Sequence, residues 1–111
     1  METKVTSYKH CDVVKVSGRV DSATAPQFSE SLLNITDQGR FKIILDLGGL
    51  NFISSAGLRV LINTQKTCKR YNRGEVVLTS LPANIYAALD LSGFTTLFQI
   101  FDDVLTAVGN F

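Results

Sequence analysis

Two adjacent serines, Ser54 and Ser55, lie between a segment typical of a buried strand and a segment typical of a long helix, and Ala56-Gly57 follows them. A serine hydroxyl in this place can cap the helix, because it accepts a hydrogen bond from a free backbone N–H of the first turn. It can also accept a phosphate, which the same N–H groups and the positive end of the helix dipole would stabilise. The spacing alone favours the cap, since small residues also suit tight packing, and it leaves phosphorylation open.

A catalytic serine is the third interpretation, and it requires a base that takes the hydroxyl proton. The only histidine, His10, lies in a predicted solvated turn between the first two strands, and no Gly-x-Ser-x-Gly turn surrounds either serine. Gly48-Gly49 follows a strand, but no Gly-Lys-Ser/Thr comes after it, so a nucleotide-binding loop is not predicted. No His, Cys and carboxylate cluster has metal-ligand spacing, and Asp102-Asp103 is typical of a helix cap. We therefore expect no enzyme activity, no cofactor and no metal.

The rest of the chain predicts alternating strands and helices in the order β-β-α-β-α-β-α-β-α. The run Ile43-Ile44-Leu45 does not alternate, which is typical of a central strand covered on both faces. Residues 9–12 alone separate the first two strands, which predicts an antiparallel hairpin, whereas helices separate the later strands and predict parallel pairing. The fold class is α/β, a mixed and mostly parallel sheet of about four to five strands with helices packed on it. The predicted strands are residues 4–8, 13–16, 41–47, 76–78 and 97–101.

Glycines and polar caps predict where these elements begin and end. Gly39 is placed to stop the first helix, and Gly18 and Gly48-Gly49 are expected to end the strands before them. Three residues can cap the first helix, namely Asp21, Ser22 and Thr24.

The helix that begins near Ser55 has two different sides. The basic side is either part of a partner surface or only solubilising. The apolar side consists of Leu58, Leu61, Ile62 and Cys68, and the polar side of Arg59, Asn63, Lys66, Arg70 and Arg73.

Composition limits the classes of function. Eleven basic and ten acidic side chains give a formal net charge of +1, without the electrostatic signature of a nucleic-acid binder. Neither a secretory signal nor an apolar stretch of the roughly 18–20 residues that a membrane span needs is recognisable. Cys11 and Cys68 lie far apart without metal spacing, as expected for two reduced, partly buried thiols. We expect a single domain over residues 1–111 that resides in the cytoplasm.

Four segments carry a further pattern. They are Gly18-Arg-Val-Asp21, Ile44-Leu-Asp-Leu47, Leu50-Asn-Phe-Ile-Ser-Ser-Ala-Gly-Leu-Arg-Val-Leu61 and Ala87-Ala-Leu-Asp-Leu-Ser-Gly-Phe94. Together they closely resemble STAS domains, specifically the bacterial anti-sigma factor antagonists, and the resemblance covers nearly the whole chain. It implies the STAS fold.

The resemblance also implies a phosphorylation site. In the family's usual pattern the turn reads Asp-Ser-Ser/Thr-Gly, and the serine after the aspartate is phosphorylated. Aligned on Gly57, that acceptor falls on Ser55 rather than Ser54, which takes the aspartate position. Asp21 and Ser22 are expected beside Ser55, although capping of the first helix would explain both equally well. The partner-binding residues that we expect are Asp21, Ser22, Ser54, Ala56, Gly57 and Arg59.

The resemblance further implies a partner-switching cycle in transcription regulation. The unphosphorylated antagonist binds an anti-sigma factor that is also a serine-protein kinase, and phosphorylation releases it. A metal-dependent serine phosphatase resets the cycle, and the free antagonist is expected to be a monomer with no nucleic-acid or membrane partner. The alternative is a constitutive STAS interaction module, such as a signalling scaffold or a transport-ATPase partner, in which Ser55 is only a cap.

Overall fold

The computed structural model describes residues 1–111, with five strands and four α-helices in the order expected from the sequence. The strands are β1 (Glu2–Ser7), β2 (Asp12–Val20), β3 (Lys42–Ile53), β4 (Glu75–Thr79) and β5 (Gln99–Phe101). The helices are α1 (Ala25–Thr36), α2 (Ser55–Lys69), α3 (Ala83–Leu91) and α4 (Val104–Gly109).

The five strands form one sheet in the order β1-β2-β3-β4-β5. The predicted hairpin is confirmed, because β1 pairs antiparallel with β2. The later neighbours, β2 with β3, β3 with β4 and β4 with β5, are all parallel. Successive right-handed crossovers in one direction place the connecting helices on one face of a sheet. The mixed α/β sheet predicted from the sequence is therefore confirmed.

The two faces of the sheet are covered unequally. On one face, α1, α2 and α3 pack onto the strands in a cluster of 20 buried residues that includes Phe28, Leu45, Leu61 and Ile85. On the other face, a cluster of 5 buried residues around Ile44 packs against residues of α4. Ile44 and its neighbour Leu45 are both fully buried, which is why the run around them is apolar without alternation.

Glycines do not end β2 and β3, and these two predicted strand ends are wrong. Both strands continue for several residues, β2 through Gly18 to Val20 and β3 through Gly48-Gly49 to Ile53. Register shifts between the two strands accommodate the extra residues. Gly49 is needed within the strand, since a Cβ there would lie 2.9 Å from the Cβ of Ser17.

The predicted basic side of α2 is exposed, but its last two arginines lie beyond the helix. The helix ends at Lys69, because Tyr71 and Asn72 adopt left-handed backbone conformations with φ of 60° and 57°. Arg70 therefore belongs to a 3₁₀ turn, and Arg73 follows that turn.

One buried polar side chain fixes the middle of α2 to the sheet. The amide of Gln65 donates to the carbonyl oxygens of Val76, at 3.0 Å, and Leu97, at 2.8 Å. Its own oxygen accepts from the N–H of Val76 at 2.6 Å. The side chain thus supplies the hydrogen bonds that a neighbouring strand would otherwise make at the start of β4.

Candidate functional site

The parallel pairing of β2 and β3 places two connecting segments side by side. The last residues of the strands, Val20 and Ile53, are partners in the register. The N–H of Ser54 donates to the carbonyl oxygen of Val20 at 2.8 Å. The loop that starts at Asp21 and the turn that contains Ser55 therefore lie next to each other at the carboxyl edge of the sheet.

Ser54 is the N-cap of α2. Its backbone is extended, with φ −87° and ψ 173°, and its Oγ accepts from the N–H of Gly57 at 3.3 Å. Its carbonyl oxygen accepts the first intrahelical hydrogen bond, from the N–H of Leu58 at 2.9 Å. The capping role that the sequence left open between the two serines thus belongs to Ser54.

Ser55 is the first residue of α2 and is exposed to solvent. The N–H groups of Ser55 and Ala56 precede the first helical hydrogen bond, so the helix itself offers them no acceptor. The first turn of α2 contains no acidic residue. The place beside the Ser55 hydroxyl therefore combines backbone donors and the positive end of a helix dipole with the absence of a repelling carboxylate on the helix.

Gly57 is buried where α2 leaves the sheet. A Cβ at this position would lie 2.7 Å from the Cγ1 atoms of both Ile53 and Val20. The absence of a side chain lets the helix approach the ends of β2 and β3 closely, and this approach sets the position of Ser55. The structure thus gives Gly57 a packing role, and a partner contact at this position stays a prediction.

Asp21 organises the neighbouring loop. Its Oδ1 accepts from the N–H groups of Ala23, at 3.0 Å, and Thr24, at 3.1 Å. The hydrogen bond from the backbone of Thr24 is the main cause that lowers the pKa of the Asp21 carboxyl. Asp21 thus caps the turn that precedes α1, while Thr24 takes the N-cap position without a side-chain cap and Ser22 is exposed.

Sequence reasoning missed one side-chain pair at this edge. The guanidinium of exposed Arg19 lies 4.5 Å from the ring centroid of Phe52, which is itself 38% exposed. The two residues are register partners at the ends of β2 and β3, so they lie close to the serine turn. An exposed aromatic ring with an arginine over it is a common feature of protein interfaces. Only the strand register pairs them, and no sequence motif does.

The exposed side of α2 adds one more predicted residue to this edge. Arg59 is exposed and follows Ser55 by one helical turn, so both residues lie on the same side of the helix. Ala56, between them in sequence, is partly buried and packs against the main core.

His10 lies at the opposite edge of the sheet, before β2 begins. The nine residues of β2 separate His10 from the serine turn, and at about 3.3 Å per residue they span roughly 26 Å. It is exposed and does not approach Ser55 as a base. No group of three or more His, Cys, Asp or Glu residues could hold a metal ion.

The comparison with protein families covers almost the whole chain, since the STAS domain model matches residues 2–107. The chain belongs to the STAS domain family. Among its relatives is BtrV of Bordetella bronchiseptica, a candidate anti-sigma factor antagonist, which is 38% identical over 85 residues, 77% of this chain and 72% of the relative. The anti-sigma-B factor antagonist of Listeria monocytogenes is 26% identical over 100 residues, 90% of this chain and 86% of the relative. This STAS domain is accordingly a member of the anti-sigma factor antagonist family.

Solved structures agree with this fold. The anti-sigma factor antagonist SpoIIAA in its unphosphorylated form matches 98% of this STAS domain with a TM-score of 0.84 and 14% identity, over 95% of its own chain. The phosphorylated form of the same Bacillus protein matches with a TM-score of 0.76 at 14% identity, covering 98% of both chains. None of the helices is both long and apolar enough to span a membrane.

Proposed function

We propose that this STAS domain binds an anti-sigma factor and that phosphorylation of Ser55 controls the binding. The observation that carries the proposal is the difference between the two serines. The Ser54 hydroxyl is engaged as the helix cap, at 3.3 Å from the N–H of Gly57. Ser55 is exposed at the first position of the same helix and makes no side-chain hydrogen bond within the chain. A kinase can therefore reach the Ser55 hydroxyl without breaking the cap.

The local structure accommodates a phosphate at Ser55 without unfolding α2. The free N–H groups of the first turn and the helix dipole favour the negative charge. Arg59, one turn further along, can approach the phosphate from the same side of the helix. Phosphorylation therefore changes the charge of the surface by about −1.5 to −2 while the fold is retained.

The switch requires that the phosphorylated form binds the partner about a hundredfold to a thousandfold more weakly, which corresponds to about 2.7–4 kcal/mol. An unpaired dianion buried at an interface supplies a free-energy cost of this size. The existence of SpoIIAA in an unphosphorylated and a phosphorylated form supports such a cycle for a protein of this fold.

The partner in this proposal is an anti-sigma factor that is also a serine-protein kinase, and a metal-dependent serine phosphatase restores the unphosphorylated form. The STAS domain itself acts as a binding protein, not as an enzyme, and operates in the cytoplasm as a free monomer. The docking surface comprises the turn from Ser54 to Gly57, the loop residues Asp21 and Ser22, and Arg59.

A phosphorylation assay tests the acceptor. On incubation with ATP and the cognate kinase, the wild type and Ser54→Ala are expected to gain one phosphate by mass spectrometry, and Ser55→Ala none. Ser22→Ala, which removes the exposed serine of the neighbouring loop, is the matched control and should still be phosphorylated. Phosphate on Ser54 or Ser22 in the Ser55→Ala variant would contradict the assignment.

A binding assay tests the consequence. Isothermal titration of the anti-sigma factor with Ser55→Ala should give wild-type affinity, and Ser55→Asp should weaken binding at least about tenfold, since one carboxylate carries less charge than phosphate. Equal affinity of Ser55→Asp and wild type, together with no phosphorylation of the wild type, would instead indicate a constitutive interaction module.

A further inference from the structure

Two neighbouring hollows open at the amino edge of the sheet, at the end of α2 that lies away from Ser55. The larger hollow has a volume of about 560 Å³ and the smaller one about 250 Å³, and Lys42 lines both. The larger one is lined by residues that include Lys42, Lys69, Asn72, Leu97, Phe98 and Phe111. The smaller one is lined by residues that include Lys9, His10, Arg40, Lys42 and Arg73. We call this region the basic end, defined by Lys9, Arg40, Lys42, Lys69 and Arg73.

The two arginines of the basic end are occupied by contacts within the fold. Arg40 forms the only salt bridge of the chain, with buried Asp12, and its guanidinium also donates to the carbonyl oxygen of Tyr8. Arg73 donates to the carbonyl oxygen of Thr67 at 3.0 Å, at the end of α2. These two side chains maintain the structure of the basic end. Any binding of an anionic ligand there therefore depends on its remaining cations.

The three lysines of the basic end have no such partners. Lys9, Lys42 and Lys69 are exposed and form no salt bridge. One further carboxylate lines the hollows, that of Glu75, and it accepts a hydrogen bond from Gln99 at 3.0 Å. The hollows therefore present three ammonium groups against the one carboxylate of Glu75, whose negative charge a hydrogen bond from a neutral amide does not cancel.

The turn beside the larger hollow is held in an unfavourable conformation. Tyr71 and Asn72 both have positive φ, a region that is unfavourable for residues other than glycine and less so for asparagine than for tyrosine. Gly74 follows at a place where a Cβ would lie only 2.3 Å from the carbonyl oxygen of Phe41. The conformation directs the Tyr71 ring outward, where it is 84% exposed. An exposed tyrosine is typical of interaction surfaces, in which aromatic residues are enriched.

We infer that the basic end binds an acidic peptide segment of a protein partner, and that this segment also inserts an apolar side chain into the larger hollow. Carboxylates of the segment pair with Lys9, Lys42 and Lys69, and the apolar side chain contacts Leu97 and Phe98. Nucleic acid satisfies only the first half of this surface, because its backbone pairs with cations along an extended strip and carries no apolar side chain to place against Leu97 and Phe98.

The inferred site is independent of the Ser55 site. Helix α2 has 15 residues, so at about 1.5 Å per residue its two ends are about 22 Å apart. That separation exceeds the Debye length of about 8 Å at physiological ionic strength, and a phosphate at Ser55 is largely screened from the basic end. One molecule can therefore hold an acidic segment there whatever the state of Ser55.

A synthetic peptide tests the inference without a known partner. The probe is fluorescein-labelled Glu-Glu-Leu-Glu-Glu-Phe-Glu-Glu, titrated with the intact chain and followed by fluorescence anisotropy. Lys42→Gln/Lys69→Gln is expected to weaken binding about tenfold, and a peptide with serine in place of leucine and phenylalanine about threefold or more. The control Lys4→Gln/Lys15→Gln removes the same charge from β1 and β2, outside both hollows, and should change the affinity less than about twofold.

Three results would overturn the inference. One is an equal loss of affinity in the control and in Lys42→Gln/Lys69→Gln, which indicates non-specific charge. Another is a short DNA duplex or an anionic vesicle that binds as tightly as the peptide with the same sensitivity to Lys42→Gln/Lys69→Gln. The third is a loss of peptide affinity in Ser55→Asp, which would contradict the independence of the two sites. Failure of the Ser55 switch itself leaves the peptide result unchanged.

Discussion

Helix α2 joins the two edges of the sheet, and its two ends are stabilised by different means. At its start, a single neutral hydroxyl, that of Ser54, caps the helix, and no charged residue occupies the first turn before Arg59. At its end, Lys66 and Lys69 lie in the last turn and the guanidinium of Arg73 donates to a helical carbonyl oxygen. The start of α2 therefore retains free backbone N–H donors for an added anion. At its end, by contrast, a side chain already donates to a carbonyl group, and further basic side chains remain unpaired. The number of charged side chains at a helix end therefore does not by itself predict which end can accept an added anion.

Substitutions of the closely packed glycines near the two ends of α2 are expected to have the largest effects on stability. Gly74→Ala would place a Cβ against the backbone of Phe41, at 2.3 Å, and should destabilise the fold by about 3 kcal/mol. Gly57→Ala meets side-chain atoms at 2.7 Å, and since side chains yield more easily it should cost about 1–2 kcal/mol. Urea unfolding measures both. Gly109→Ala, with nothing within 4 Å of the new Cβ, is the control for the substitution itself.

The reverse order, with Gly57→Ala the more damaging variant, would show that the start of α2 is packed more rigidly than its end.

Removal of the N-cap of α2 is expected to give the next largest effect on stability. Ser54→Ala should lower the free energy of unfolding by about 1 kcal/mol, because the N–H of Gly57 loses its acceptor. Ser55→Ala should change it by less than about 0.5 kcal/mol, since that side chain is exposed. Thermal and urea unfolding of the two variants provide the comparison. Equal losses would mean that both hydroxyls support the helix, and would undermine the separation of a capping serine from a modifiable one.

The turn after the end of α2 is expected to give a change of opposite sign in the free energy of unfolding. Asn72→Gly should stabilise the fold by about 0.5–1 kcal/mol, because glycine adopts the observed φ of 57° without steric cost. Urea unfolding measures the gain, and Asn63→Gly, in the regular part of α2, should instead destabilise by about 0.3 kcal/mol. If both variants are destabilised, the turn at Asn72 holds no conformational strain.

The smallest effect concerns pH at the edge that contains Ser55. The pKa of Asp21 is lowered chiefly by the hydrogen bond from the backbone of Thr24, so its stabilising contribution is present above the unfolded pKa of about 3.9 and is lost as pH falls through the lower folded value. NMR titration should give a midpoint below the ordinary Asp value. Asp21→Asn should reduce the loss of stability between about pH 5 and pH 2, and Asp90→Asn, on α3, is the charge control. A midpoint at or above the ordinary value would contradict the hydrogen-bonded loop.

The sequence predicted the fold well, because apolar patterning depends on burial. The run Ile43-Ile44-Leu45 is apolar throughout since both faces of β3 are covered, and that feature can be recognised without coordinates. The ends of β2 and β3 could not be predicted in this way. Gly49 resembles a strand terminator in the sequence, but its absence of a side chain accommodates Ser17 of the neighbouring strand.

The candidate site was predicted in outline only. Either serine fits the pattern of a helix cap, and the backbone conformation of Ser54 decides between them. The pair of Arg19 and Phe52 depends on a shifted register, which no local pattern encodes. Likewise, asparagine tolerates positive φ at Asn72, but nothing in the side chain of Tyr71 predicts the same conformation there.

The amide of Gln65 has a consequence for how α2 opens. It joins the middle of the helix to β4 at Val76, through a buried hydrogen bond, and to the segment before β5 at Leu97, through a partly buried one. The inner turns of the helix therefore exchange their amide protons only when β4 and the following segment separate from them, in one cooperative opening. The two terminal turns of α2 lie outside these hydrogen bonds, so their amide protons are expected to exchange faster than those around Gln65.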